Sequence, residues 1–195
     1  MGPLYPFTEI AEAWLTISLF CFKKIGMAPI EIIRFPAHVL REVAKPVENI
    51  TEDIKRLAEQ MLESMYIARG AGLAANQVGV PIRLIVLDTQ SKKEKKGTKG
   101  HLILLNPIIL ETESEETIEE GCLSVPGYYD FIRRPKRVLV KGYTLDERPF
   151  EMECGGLLAR AFQHEIDHLN GILFIDHLSP VKKGIFKKQY LKKQR

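Results

Sequence analysis

The sequence predicts an α+β fold, in which a series of hairpin-linked strands carries two packed helices. Three observations predict it. Apolar residues recur at roughly helical spacing from Ile54 to Ile67, short apolar or alternating runs follow between residues 82 and 154, and a second helical segment opens at Gly155-Gly156. Strands gathered between helices, rather than alternating with them, favour α+β over repeated βαβ units.

Each element has a local reason. Ile30 to Arg34 is a short apolar run, a strand or extended arm, which Pro36 ends. Thr51 is a plausible N-cap, with Glu52-Asp53 suited to the first turn of a helix. Ile54, Leu57, Met61, Met65 and Ile67 lay one stripe of that helix on the core as far as Gly70. Gly70 to Gly79 is dense in small residues, which implies close backbone approach. It lacks the six-residue dinucleotide spacing, and no Lys-Ser or Lys-Thr follows it, so nucleotide binding is rejected. Ile82 to Leu87 and Leu102 to Leu105 read as strands, with lysine-rich Ser91 to Gly100 as a solvated tip between them. Asn106-Pro107 closes the second strand, Ile108 to Glu113 continues the sheet, and Ser114 to Glu120, with four glutamates, belongs at the surface. Val138 to Tyr143 alternates as a strand, Asp146 to Pro149 turns, and Phe150 to Cys154 returns antiparallel. The last long helix ends at Asn170-Gly171.

A chain of 195 residues with 45% apolar and 27% charged residues is a one-domain globular protein with a real core. The formal charge of +3 is too weak to argue for nucleic acid, and no DNA partner is expected. Three cysteines, an odd number, argue against a disulfide-stapled secreted domain and for a reducing, cytoplasmic setting. The apolar run Ala13 to Phe22 is too short to span a bilayer, and its flanking charges reverse those of a signal peptide, so no membrane partner is expected. Residues 1–26 read as an N-terminal extension or a start-site artefact, 27–181 as the domain proper, and 182–195 as a basic tail.

Gln163-His164-Glu165-Ile166-Asp167-His168 carries the chemistry. Two imidazoles one helical turn apart can share a divalent metal, and Glu165 beside the first can act as base toward water on it. A third protein ligand is required. Phe174 stands where an extended metzincin-like pattern would place a histidine, so that version fails. Asp176 and His177 remain candidates. Cys122 is the better one: its thiol sits among small and rigid residues in Glu120-Gly121-Cys122-Leu123-Ser124-Val125-Pro126, a backbone held in a defined turn. Cys154 and Cys21 fit inert cysteines. Asp167 either orients a ligand imidazole or occupies the helix's wet face.

Three segments, Gly70 to Gly79, Glu120 to Pro126 and Gln163 to His168, together resemble the three motifs of peptide deformylase, in order and in separation, within a likeness spanning roughly Ala28 to Val181. The resemblance implies mostly antiparallel sheets around a central helix bearing both histidines. It implies that Cys122, His164 and His168 hold one divalent metal, Fe2+ natively in many members and Zn2+ in some. The implied reaction hydrolyses the N-formyl group of formylmethionyl nascent polypeptides and releases formate. Glu165 is then general base and acid. The Gln77 side-chain amide and the Leu123 backbone N–H stabilise the developing oxyanion. Ala71, Gly72, Leu157 and Ala161 are pocket candidates, and the Gly72 segment pairs with the substrate chain. The basic tail implies contact with ribosomal RNA; its other reading is a solvated terminal helix with a narrow stripe of Ile185, Tyr190 and Leu191. Asn76 and Tyr128-Tyr129 depart from common family versions and are expected to alter the pocket rim. Two rival readings are a metallopeptidase with a ligand other than Cys122, and a metal-stabilised RNA-binding protein.

Overall fold

Leu84, Ile85, Val86 and Leu87 are all buried, so the strand they form has no wet face. That is why it reads as a continuous apolar run instead of an alternating one. In the computed structural model, which describes residues 28–88 and 100–193, this strand is β2 (Leu84–Asp88). The readings made for residues 1–26 and for most of the lysine-rich segment lie outside the described residues.

Five antiparallel strands form the main sheet: β1 (Gly72–Ala74), β2, β3 (His101–Glu113), β6 (Arg137–Tyr143) and β7 (Pro149–Gly155), in the order β1-β2-β3-β6-β7. The other two, β4 (Glu116–Cys122) and β5 (Val125–Arg134), make a separate hairpin. Helix α1 (Glu52–Ile67) covers one face of the sheet, where Met61 and Met65 pack with Leu84 and Val86. Helix α2 (Gly156–Leu169) covers the other, where Phe162, Ile166 and Leu169 meet Ile85 and Leu87. Helix α2 therefore lies between the sheet and the β4–β5 hairpin, the central position expected of it. A third helix, α3 (Pro180–Lys193), follows a short 3-10 turn at Phe174–His177.

The capping expectation holds: Thr51 Oγ1 accepts from the N–H of Ile54. The stripe does not extend to Ile67, which is half exposed in the last turn and lines a cleft. Ser64 is buried in the stripe instead, with its hydroxyl accepting from the N–H of Ile30. That bond anchors the extended arm, whose Ile33 and Phe35 N–H groups donate to the carbonyls of Gln77 and Ser124.

Asn106-Pro107 does not close β3. The strand runs through it with a register shift between Leu105 and Ile108. Asn106 takes a left-handed conformation (φ 50°), which Asn tolerates, and its amide group exchanges hydrogen bonds with the backbone of Val47 at 2.9 and 2.8 Å. Val125 and Pro126, expected within a turn, instead open the ten-residue strand β5.

The C-terminal stripe holds at Tyr190 but not at Ile185, whose expected place is taken by Phe186. Phe186 and Tyr190, four apart, are buried against Leu40, Val125 and Phe174, whereas Ile185 is 51% exposed. The Tyr128 and Phe186 ring centroids lie 4.6 Å apart. Phe186→Ala is expected to lower the unfolding free energy in urea by about 3 kcal/mol, whereas Ile185→Ala changes it by less than about 0.5 kcal/mol.

Candidate metal centre

His164 and His168 are one turn apart on α2, so both rings leave the same face, with centroids 5.0 Å apart. The hairpin brings the end of β4 against that face. Cys122 Sγ lies 3.2 Å from His168 Nε2, and one donor atom from each of Cys122, His164 and His168 falls within 4.8 Å of the others. Three ligands with bonds of roughly 2.0–2.3 Å to one ion need such spacing. Sulfur with two imidazoles suits Fe2+ or Zn2+. Asp176 and His177 are excluded as ligands by their partners, since Asp176 pairs with Arg41 and His177 Nε2 lies 2.8 Å from Asp167. Phe174 is buried core, with its ring centroid 6.1 Å from that of His164.

The charges around the rings support a cation. Burial pushes both imidazole pKa values down. At His168 burial prevails, reinforced by the charge of His164, and the pKa falls well below the ordinary value. At His164 the Cys122 thiol and the Glu120 carboxylate outweigh burial and hold it well above the ordinary value. The pull those groups exert on a proton acts equally on a metal ion. Glu120 accepts the other side of the ring, with Oε2 3.2 Å from His164 Nδ1, which leaves Nε2 for the ion.

Glu120 is the residue the sequence reading misplaced. It is 6% exposed, not a surface acid. Arg134 grips it twice, Nε to Oε1 at 2.7 Å and Nη2 to Oε2 at 3.1 Å, and Arg160 Nη1 donates to the same Oε1. Burial raises its pKa, but His164 and Arg134 outweigh that and bring it to about 2. One signal was available: Glu120 stands only two residues before the candidate ligand Cys122, inside the same motif. Asp167 does not orient a ligand ring. It accepts from Arg134 Nη1 at 2.7 Å and from His177.

Glu165 is 4% exposed, and its Oε2 is buried without a hydrogen-bond partner. Burial is the main reason its pKa rises to about 7. Gln77 is buried, and its Oε1 accepts from the N–H of Ala74 at 2.8 Å. Its Nε2 is thereby turned toward Ser124 Oγ (3.1 Å) and Cys122 Sγ (3.6 Å). Leu123 sits in the tight turn that pairs Cys122 with Val125. Gln77, Glu120, Cys122, Leu123, His164 and Glu165 border an open cleft of about 890 Å³, as do Ala71, Gly72, Leu157 and Ala161. Asn76 is not at its rim: it is fully buried and donates to the Glu42 carbonyl at 2.7 Å. Tyr129 lines the cleft, while Tyr128 packs into the α3 cluster.

The polypeptide deformylase family model matches residues 29–184. The chain belongs to the peptide deformylase family. A peptide deformylase from Syntrophobacter fumaroxidans is 49% identical over 167 residues, covering 86% of this chain and 96% of the relative. One from Thermodesulfovibrio yellowstonii is 46% identical over 168 residues, covering 86% of this chain and all of the relative. The crystal structure of a peptide deformylase from Legionella pneumophila superposes with a TM-score of 0.78 at 43% identity, covering 86% of this chain and 96% of that one. The enzyme is thus a metal-dependent hydrolase that removes the N-formyl group from formylmethionyl peptides, with one divalent metal site at Cys122, His164 and His168.

Gly72 gives the site a sharp test. A Cβ there would lie 2.5 Å from Glu165 Oε1 and 2.7 Å from Leu87 Cδ2. Gly72→Ala is expected to displace the carboxylate and lower kcat by about a hundredfold, with metal content by elemental analysis unchanged.

Proposed function

We propose that Glu165 is the general base and then the general acid of formamide hydrolysis, and that Gln77 and Leu123 supply donors to the oxyanion. One observation carries this reading: a buried carboxylate oxygen without a partner borders the cleft beside a ligand histidine. The ion, when bound, supplies Lewis acidity that makes water a better nucleophile and draws electron density from the formyl carbonyl. Glu165 takes the proton that water loses on attack and delivers it to the departing amine, so no net proton is consumed in the transfer. As the carbonyl oxygen becomes an anion, the Gln77 Nε2–H and the Leu123 N–H stabilise it. Each such donor is typically worth a factor of about 10²–10³ in kcat. The tie of Gln77 Oε1 to Ala74 supports that assignment, because it leaves only the amide's donor end toward Cys122.

Ala71, Gly72, Leu157 and Ala161 form the recess for the methionine side chain, and the catalytic unit is residues 27–181. Neither Cys122 nor Cys154 is in a disulfide, in keeping with a cytoplasmic setting. The outward face of α3 touches the ribosome. With Phe186 and Tyr190 turned inward, Lys187, Lys188 and Lys192 are left exposed. No membrane partner enters this reading.

Glu165→Gln is expected to reduce formate release from formyl-Met-Ala-Ser by about a thousandfold while the metal is retained. Metal lost in step with activity would count against a purely catalytic role. The triple change of Lys187, Lys188 and Lys192 to Gln should weaken ribosome co-sedimentation and flatten its salt dependence. Association unaltered by the change would end the tail proposal.

A further inference from the structure

The metal ligands come from two elements that share no strand ladder: Cys122 from the end of β4, His164 and His168 from α2. Something must fix their separation. From α2 itself Arg160 and His164 reach Glu120, and from the hairpin one side chain reaches Glu120 and Asp167 together. Arg134, at the end of β5 and 4% exposed, holds Glu120 through Nε and Nη2, and Asp167 through Nη1. Glu120 lies two residues before Cys122, and Asp167 is the covalent neighbour of His168. We infer that Arg134 is a positioning residue: its fork straps the thiol-bearing strand to the histidine helix and so sets the sulfur-to-nitrogen spacing that the ion meets. The inference rests on the metal site, and deepens the proposed reaction by naming what holds that site's geometry.

The planarity of the guanidinium is the physical content of this claim. Three of its N–H directions, fixed relative to one another, are engaged by two carboxylates on separate elements. Lysine would keep the charge and lose the fork. A purely electrostatic role for position 134 therefore predicts a functional Arg134→Lys variant, and a strap predicts a defective one. Arg160 joins the same two elements from its own place on α2, through Glu120 and the carbonyls of Ile132 and Glu116, but it makes no bond beside His168, so the Asp167 end of the tie belongs to Arg134.

The test compares the full chain with Arg134→Lys and Asp167→Asn. The measurements are the zinc dissociation constant by chelator competition, the sulfur-to-metal charge-transfer band of the cobalt-substituted protein, and the thermal midpoint of the metal-free protein. Arg134→Lys is expected to weaken zinc binding about tenfold or more and to shift the cobalt band. Asp167→Asn, which cuts one end of the strap, is expected to move both readouts the same way by less. Parental zinc affinity and an unshifted band in a folded Arg134→Lys protein would overturn the inference. So would a loss of metal-free thermal stability with affinity and band unchanged. If Arg134→Lys does not fold, Asp167→Asn decides alone: parental affinity there also overturns the strap. A parental protein that binds zinc yet releases no formate from formyl-Met-Ala-Ser would sink the proposed reaction and leave the strap standing.

Discussion

A carboxylate buried among two guanidiniums and an imidazole is the interaction on which the rest depends. Glu120 sits in the interior because Arg134, Arg160 and His164 surround it. Such a cluster adds little net stability, because desolvating each charge costs several kcal/mol that the pairing roughly repays. Its consequence is geometric. With one partner removed, the remaining charges are stranded in a dry interior, so the native arrangement is strongly preferred over any neighbouring one. The thiol two residues away and the ring in contact with it inherit that precision.

The main sheet serves the same end from the opposite side. Helices cover both of its faces, so β1 and most of β2 are buried, and β1 delivers Gly72 against Glu165, where only a hydrogen fits. The same small-residue stretch turns into Gln77, whose amide is locked by the Ala74 N–H. A close-packed wall and a candidate oxyanion donor therefore come from ten consecutive residues, which meet α2 at Glu165, the candidate base. Burial of Glu165 follows from that close approach, and the burial in turn raises its pKa.

Much of this was legible because it rests on local rules. Thr51 as a cap, the helix from Gly156 to Asn170, the β6–β7 return and the i, i+4 histidines all follow from short-range spacing. The failures share one cause: they depend on partners distant in sequence. Glu120 looks like one more surface glutamate until Arg134 and Arg160 fold over it. Asn106 looks like a terminator until its amide finds Val47. Ile67 fits the helical stripe, but the cleft opens beside it. Ile185 reads as part of the same stripe as Tyr190, yet the face packed on Phe35 and Tyr128 pairs Tyr190 with Phe186 and leaves Ile185 out. Asp167 belongs to a metal motif by position, but its charge is used by Arg134 and His177.

The β4–β5 hairpin shows why these long-range partners matter to chemistry. It carries the sulfur ligand, yet among the described residues no ladder joins it to the main sheet. What holds it is a set of discrete contacts. Ser124 accepts from Phe35 on the N-terminal arm and from Gln77. Val125 and Ile132 are buried with the rings of α3. Glu120 and Arg134 tie it to α2 through buried ions. An ordinary strand would place Cys122 by backbone register, with every side chain along it sharing the error of a slip. Here the position is set by contacts at both ends of the hairpin and at its middle, from four separate parts of the chain. The arm, the α3 helix and the ion cluster lie outside the three motifs or at their edges, and the motifs' geometry depends on all of them. The same reasoning explains a C-terminal helix with two unlike faces: the aromatic one packs on the hairpin, and the lysine-rich one faces solvent.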